Sequence, residues 1–472
     1  MRVVALPMDN RPPNYRFLFD LAAIYDIDIT LPPTEKLGFY RRAGDVDWLR
    51  EWLLDQKADA FLVSTEMLCY GGLVASRESI TSLNEARKRL ETLRLVKAKN
   101  PRAIVLASSI IRRASVTVSS EKTELESLAL MEYLKSGSLT ERAYASGLDD
   151  NYLRQYWQLR RRNHEVNQLC LDLVAMGIVD TLVLAIEDTF PGGPHEPEVA
   201  MLNAKIAELR LRDRVYIHNG ADEVMQELFV RLFNQRSLGL HFDSCETISR
   251  IMDFEHQPFI ENVLSHVFLS GFSIDPDSPT AMLVIGSEVE KGMCTLELLI
   301  EKGKEIYLLD VLHANGADER LVNKVLAMVR NNRTIFLKGF SAWNTASNRL
   351  GTLLAQAAWR PTKNDQLLLK FMLERFVDDY LYQTIYRSRL EDLLRDSGED
   401  KYNVDPDSSI MKTFASEFRV AANELLSSFV GKVFRANGQT WLLKSAVLHH
   451  FRLPWHRTFE CEVSVKLETE NV

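Results

Sequence analysis

TLVLAIEDTFPGGPHEPEV, residues 181–199, decides how this chain is read. Thr181 to Ile186 is apolar after its first residue. Glu187 and Asp188 follow, a Pro/Gly loop turns the chain, and a helical pattern opens at Glu196. A short continuous apolar run bounded by turn residues reads as a strand covered on both faces. The same unit recurs in both directions along the chain, as RVVALPMD (2–9), AFLVSTE (60–66), RVYIHNGAD (214–222) and EIYLLD (305–310). Each run ends in a carboxylate or leads to one: Asp9, Glu66, Asp222 or Asp310. Parallel strands place their carboxyl ends on one side, where α/β folds bind ligands and do chemistry. These acids are therefore expected to share an acid-lined pocket.

Strands are expected at 3–8, 28–32, 60–66, 103–109, 181–187, 214–218, 280–285, 305–311 and 334–340, alternating with helical segments. That alternation implies βαβ units and an α/β fold with parallel strands. Residues 115–178 read as a helical insertion and residues 238–300 as an α/β insertion. Setting the second aside leaves about eight strands, which favours a (β/α)8 barrel-like core over residues 1–358. The alternative is two doubly wound α/β domains, if the strands of 238–300 join the main sheet. Residues 359–472 read as a C-terminal α+β subdomain, helical at first and ending in strands.

Apolar residues make up 46% of the 472 and charged residues 26%, a balance that supports a large core. A net charge of −8 argues against nucleic acid as the main partner. The densest basic run, Arg160-Arg161-Arg162, is expected to be the solvated face of a helix. Five cysteines without a CxxC pair fit reduced thiols and a cytoplasmic location. No signal peptide is read at the N-terminus, and no apolar run approaches the ~20 residues needed to span a bilayer, so no membrane partner is expected.

The 187–196 segment is the strongest candidate for chemistry. Adjacent acids driven to different pKa values can divide acid and base roles, with Asp188 as general acid/base and Glu187 or Asp222 as the second carboxyl. Strand alternation starts Glu187 and Asp188 toward opposite faces. Asp9, Asn10 and Arg11, stiffened by Pro12 and Pro13, are suited to hold hydroxyls or an anion. Glu66 before Gly71-Gly72, Arg112 at another strand end, and Asp310 complete the charged candidates. Trp343 with Asn344 and Asn348 reads as a sugar-binding wall of one aromatic face and two amides. A metal is the rival use of the acids, through His218, Asp222, Asp310 and His313. No P-loop or GxGxxG follows any strand, so no nucleotide cofactor is expected and a divalent metal is the one cofactor the acids admit. The reading is a glycosidase-like hydrolase acting on a small carbohydrate. The alternatives are a metal-dependent hydrolase or isomerase, and a non-catalytic sugar- or metabolite-binding protein.

At these segments the chain resembles a bacterial family catalogued as domain of unknown function 4127. The resemblance rests on residues 6–15 (LPMDNRPPNY), 64–77 (STEMLCYGGLVASR), the Glu187-Asp188 strand end, 220–223 (GADE), 315–318 (NGAD), 343–348 (WNTASN) and 454–460 (PWHRTFE). It implies a full-length member and no particular activity. Glu66 and Glu187 stand where the family pattern leads one to expect Asp. A longer carboxylate there puts a nucleophilic role for either in doubt.

Overall fold

The computed structural model describes residues 1–436 and 438–472. Fourteen strands are seen among the described residues. They are β1 (Arg2–Leu6), β2 (Asp28–Thr30), β3 (Ala60–Ser64), β4 (Ile104–Ile111), β5 (Thr181–Ile186), β6 (Val215–Asn219), β7 (Ser237–Phe242), β8 (Ser273–Ile274), β9 (Thr280–Ile285), β10 (Glu305–Asp310), β11 (Leu337–Ser341), β12 (Val433–Ala436), β13 (Gln439–Arg452) and β14 (Glu462–Asn471). Helices separate the parallel strands, as the apolar periodicity predicts.

The strands do not close a barrel. β1 to β6 form an open parallel sheet in the order β2-β1-β3-β4-β5-β6, and β7 to β11 form a second in the order β11-β10-β9-β7-β8. Each sheet keeps two edges, β2 and β6 in one, β8 and β11 in the other. Each starts from an inner strand, adds one neighbour on one side and the rest on the other. This is doubly wound topology, with reversal points at β1/β3 and β7/β9. The strands of 238–300 are thus not an insertion: β7, β8 and β9 begin the second sheet.

The chain divides into two compact units. One comprises Met1–Leu18, Ile27–Leu232 and Phe254–Gln257; the other comprises Phe19–Asp26, Phe233–Asp253 and Pro258–Val472. In the first unit, alternate residues of the sheet (Val4, Leu6, Phe61, Val63, Val105, Leu182, Leu184, Ile186) share one core. They pack with Leu49 and Leu53, Leu90 and Leu93, and Cys170 and Val174 from three covering helices. Residues 115–178 contribute helices Glu121–Ser136, Glu141–Ala145 and Asp150–Ala175 and no strand.

In the second unit the division expected at residue 358 is absent from the packing. Leu283, Leu308 and Phe340 of the parallel sheet share one apolar cluster with Phe376, Phe418 and Leu443 from beyond residue 358. Phe340 and Phe376 stack at 4.3 Å. The C-terminal stretch covers the sheet with helices and ends in the antiparallel sheet β12-β13-β14. No helix among the described residues is long and apolar enough to cross a membrane.

Candidate functional site

The carboxyl edge of the first sheet carries the densest set of predicted residues. Pro12 and Pro13 turn the chain after β1, and helix Arg16–Tyr25 follows. Asp9 accepts from the Arg11 backbone N–H (2.9 Å) and from Arg11 Nε (3.0 Å) and Nη2 (2.7 Å). The same guanidinium reaches Asp222 after β6, with Nη1 3.1 Å and Nη2 2.5 Å from its two oxygens. Asn14 Nδ2 donates to both carboxylates, at 3.1 Å to Asp9 and 2.9 Å to Asp222. All four side chains are buried. β1 and β6 are four strand spacings apart in the sheet, about 19 Å. The loops after them therefore arch over the ends of β3, β4 and β5 to meet. Helix Val224–Arg231 helps this return: it packs on β3 and β4, and Gln226 Nε2 donates to Pro13 O at 3.0 Å. Asn10 turns aside and donates to the carbonyl of Gly38 at 3.0 Å.

Glu66 sits in the first turn of helix Thr65–Tyr70, directly after β3. It accepts from Ile110 N–H (2.8 Å), Ser64 Oγ (3.1 Å) and Thr65 Oγ1 (3.3 Å) and has no ion pair among the described residues. Burial pushes its carboxyl up to about 7, against the lowering effect of these hydrogen bonds. A carboxyl whose folded pKa lies above the ordinary 4.5 is favoured by the fold in its neutral form. That contribution is complete below the unfolded pKa and is lost as pH rises through about 7. Between about pH 5 and pH 8 the loss amounts to ~3 kcal/mol at most. Glu66→Gln is expected to remove that part of the pH dependence, read from urea midpoints of wild type and variant at both pH values. Equal pH slopes would exclude it. Asp379, raised to about 7 by burial, adds a slope of the same sign in both proteins and cancels in the comparison.

After β5 the two acids diverge. Glu187 is buried and takes a two-point ion pair from Arg77, with Nη2 on Oε1 and Nε 3.3 Å from Oε2. Arg77 in turn donates to Thr117 Oγ1 at 3.0 Å. Asp188 pairs with Arg113 Nη1 at 3.2 Å, and 31% of its side chain remains exposed. The sequence placed both acids correctly at the strand end. Their arginine partners lie 110 and 75 residues away, and nothing local announces them.

His195 lies within the 187–196 candidate segment, though no chemical role was expected of it. Its Nδ1 is 2.6 Å from Thr189 Oγ1, and its Nε2 is buried without a partner. Its ring meets His256 edge-on at 4.4 Å, and His256 Nδ1 lies 2.9 Å from Asn219 Oδ1. Burial, with His256 and Arg160 nearby, pulls His195 down to about 3. A Cβ on Gly193 would stand 2.9 Å from both His195 Nδ1 and Thr189 Oγ1, so this glycine lets the loop close on the pair. The GGPH run was the signal, because two adjacent glycines before a histidine allow close approach.

Arg160 and Arg162 are not on a solvated face. Both are buried; Arg160 bonds Glu198 (2.7 Å) and Arg112 O (2.8 Å), and Arg162 bonds the carbonyls of Ser76, Ser79 and Thr81. Arg161 alone of the three faces solvent.

The second sheet's carboxyl edge is self-satisfied. Asp243, after β7, accepts from the N–H groups of Gly286, Ser287 and Glu288 at 2.6–3.0 Å, filling the reversal point with the chain's own carboxylate. Asp310 accepts from Leu312 N–H (3.0 Å) and Asp318 N–H (2.6 Å). His313 faces Asp318 instead, at 3.1 Å, with most of its ring exposed. Asp310 and His313 therefore do not form the ligand pair their spacing suggested, and Asp222 of the first unit has both oxygens on Arg11. His218 of the first unit lies buried with Nδ1 2.8 Å from Asn219 O. Residues 219–222 and 315–318 both read NGAD but are used differently. Asp222 binds a guanidinium, whereas Asp318 caps helix Glu319–Asn331 through Leu321 N–H.

Trp343 offers no open aromatic face. It is buried edge-on against Phe459 at 6.1 Å. Asn344 Nδ2 donates to Asn348 Oδ1 at 2.5 Å, and Thr345 caps the helix through Asn348 N–H. The amides are spent on the β11 turn, where Arg349 also binds the carbonyls of Asp310 and Asn344.

Fold and edge together define a doubly wound α/β protein whose first sheet ends in a bed of paired acids and arginines. The chain belongs to the family described as Protein of unknown function (DUF4127), which matches residues 3–464. No curated protein and no solved structure matches it.

Proposed function

We propose that this protein is a hydrolase acting on a carbohydrate at the carboxyl edge of the six-stranded sheet. The observation that carries the reading is the contrast between two carboxyls on that edge. Glu66 has no cation beside it and is pushed up to about 7 by burial. Asp188 lies beside Arg113 and keeps solvent contact. A carboxyl held neutral by burial is suited to give a proton, and a solvent-facing carboxylate beside a cation is suited to take one. β3 and β5 flank β4, so their ends are about 9–10 Å apart.

In this reading Asp188 orients water and takes its proton, while Glu66 delivers a proton to the leaving oxygen. Arg113 steadies the Asp188 carboxylate, and Arg77 fixes Glu187 as a neighbouring anion that helps hold the cationic character of the transition state. Asp9, Arg11, Asn14 and Asp222 form the rigid arch over the strand ends rather than the reacting pair. The free thiols of Cys69, Cys170, Cys245, Cys294 and Cys461 support a reducing compartment, the cytoplasm.

The test is a panel of chromogenic glycosides, with uronides included, assayed across pH. The expected result is turnover of at least one glycoside, with kcat/KM falling above about pH 7 as Glu66 loses its proton. No turnover of any glycoside, or a rate that keeps rising above that pH, would overturn the reading.

A further inference from the structure

The neighbourhood of the β4 end holds more buried cations than anions. Arg112 follows β4 and is 4% exposed. Its guanidinium lies over the Tyr156 ring at 4.7 Å and donates from Nη1 to Tyr156 O at 3.1 Å. Its Nε is buried without an acceptor, and no carboxylate pairs with it among the described residues. The arginines around it are accounted for differently. Arg77 pairs with Glu187, Arg113 with Asp188 and Arg160 with Glu198. Arg162 has no carboxylate but is ringed by carbonyls and Asn163. Arg112 alone of the five has neither a counter-charge nor a full set of acceptors. Two other buried nitrogens of this neighbourhood, Arg160 Nε and His195 Nε2, also lack partners.

A buried charge left unpaired costs several kcal/mol, and a fold bears that cost where a ligand supplies the missing charge. We propose that Arg112 anchors an oxyanion subsite, and that it binds the carboxylate of an acidic sugar at the carboxyl end of β4. The proposal rests on the carbohydrate reading above and names the substrate class within it. One uncompensated guanidinium matches one negative charge, which a uronate carries and a phosphate monoester exceeds. A planar carboxylate also meets Nε and Nη side-on through two parallel hydrogen bonds. Arg113 and Asp188, with 20% and 31% of their side chains exposed, form the solvent-facing rim beside it.

The test is calorimetric binding of D-glucuronate and D-galacturonate, with glucose, galactose and glucose 6-phosphate as comparisons, to wild type and Arg112→Met. A uronate is expected to bind wild type about tenfold or more tighter than its neutral sugar, and Arg112→Met to erase that preference. Thermal unfolding keeps the variant interpretable: replacing an unpaired buried charge by an apolar chain of similar reach leaves Tm unchanged or raises it. Equal or absent binding of uronate and neutral sugar by wild type overturns the proposal. So does a preference that survives Arg112→Met, a lowered Tm that marks Arg112 as structural, or tighter binding of glucose 6-phosphate. Uronate binding without hydrolysis of any glycoside would sink the hydrolase reading and leave this subsite standing. Hydrolysis of neutral glycosides with no uronate preference would do the reverse.

Discussion

Arg11→Met is expected to destabilise the first unit by about 3–5 kcal/mol. Two buried carboxylates, Asp9 and Asp222, share this single guanidinium, and Nη2 alone touches an oxygen of each. Methionine removes the cation and leaves two negative charges facing one another, with only the Asn14 amide between them. Lysine would not rescue the site fully, because a point ammonium cannot reproduce the two-sided fork of the guanidinium. The triple variant Asp9→Asn, Arg11→Met, Asp222→Asn is expected to recover most of the loss, since it removes the stranded charges along with their partner. Urea denaturation of the three proteins checks this. A loss below about 1 kcal/mol for Arg11→Met, or none recovered in the triple variant, would show that the network is not what ties the β1 and β6 loops together.

The second large effect is on rate. Asp188→Asn is expected to lower kcat by about 10²–10⁴, the range of a lost general base. Its effect on stability should stay within about 1 kcal/mol, because the Asp188–Arg113 pair is partly solvated and the amide keeps the side chain's shape. The combination separates chemistry from structure. Among the acids of this edge, Asp9, Glu66, Glu187 and Asp222 are buried in hydrogen-bonded or ion-paired positions, and their loss would disturb the fold as well as any reaction. Asp188, with 31% of its side chain exposed, is the acid of this edge that can be replaced quietly.

Much of this arrangement was legible in the residues. The runs at 181–186, 60–64 and 305–310 are strands because apolar residues on both faces leave helices as their only cover, and that pattern is local. The choice between barrel and open sheets is not local. A parallel strand covered on both faces looks the same in either, and only the order in which strands pair decides. β7 weakened the count further. Ser237, Gly239 and His241 interrupt its apolar pattern, so the start of the second sheet read as an insertion.

The site divides in the same way. Acids at strand ends follow from the sequence, but which of them are engaged depends on Arg11–Asp222 and Arg77–Glu187, pairs separated by 211 and 110 residues. Arg160 and Arg162 suggested a solvated face because three adjacent cations usually seek water. Glu198 and the carbonyls of Ser76, Ser79 and Thr81 hold two of them inside. Trp343 and its asparagines have the composition of a sugar wall, yet helix capping and core packing against Phe459 use them first.

The carboxyl edge of the six-stranded sheet is proposed to perform acid/base hydrolysis through Asp188. The most direct measurement is kcat for wild type and Asp188→Asn on the best glycoside of the panel, with Tm recorded on the same samples. The expected kcat is lower by about 10²–10⁴ in the variant, at an almost unchanged Tm. Equal kcat in the two proteins would contradict it.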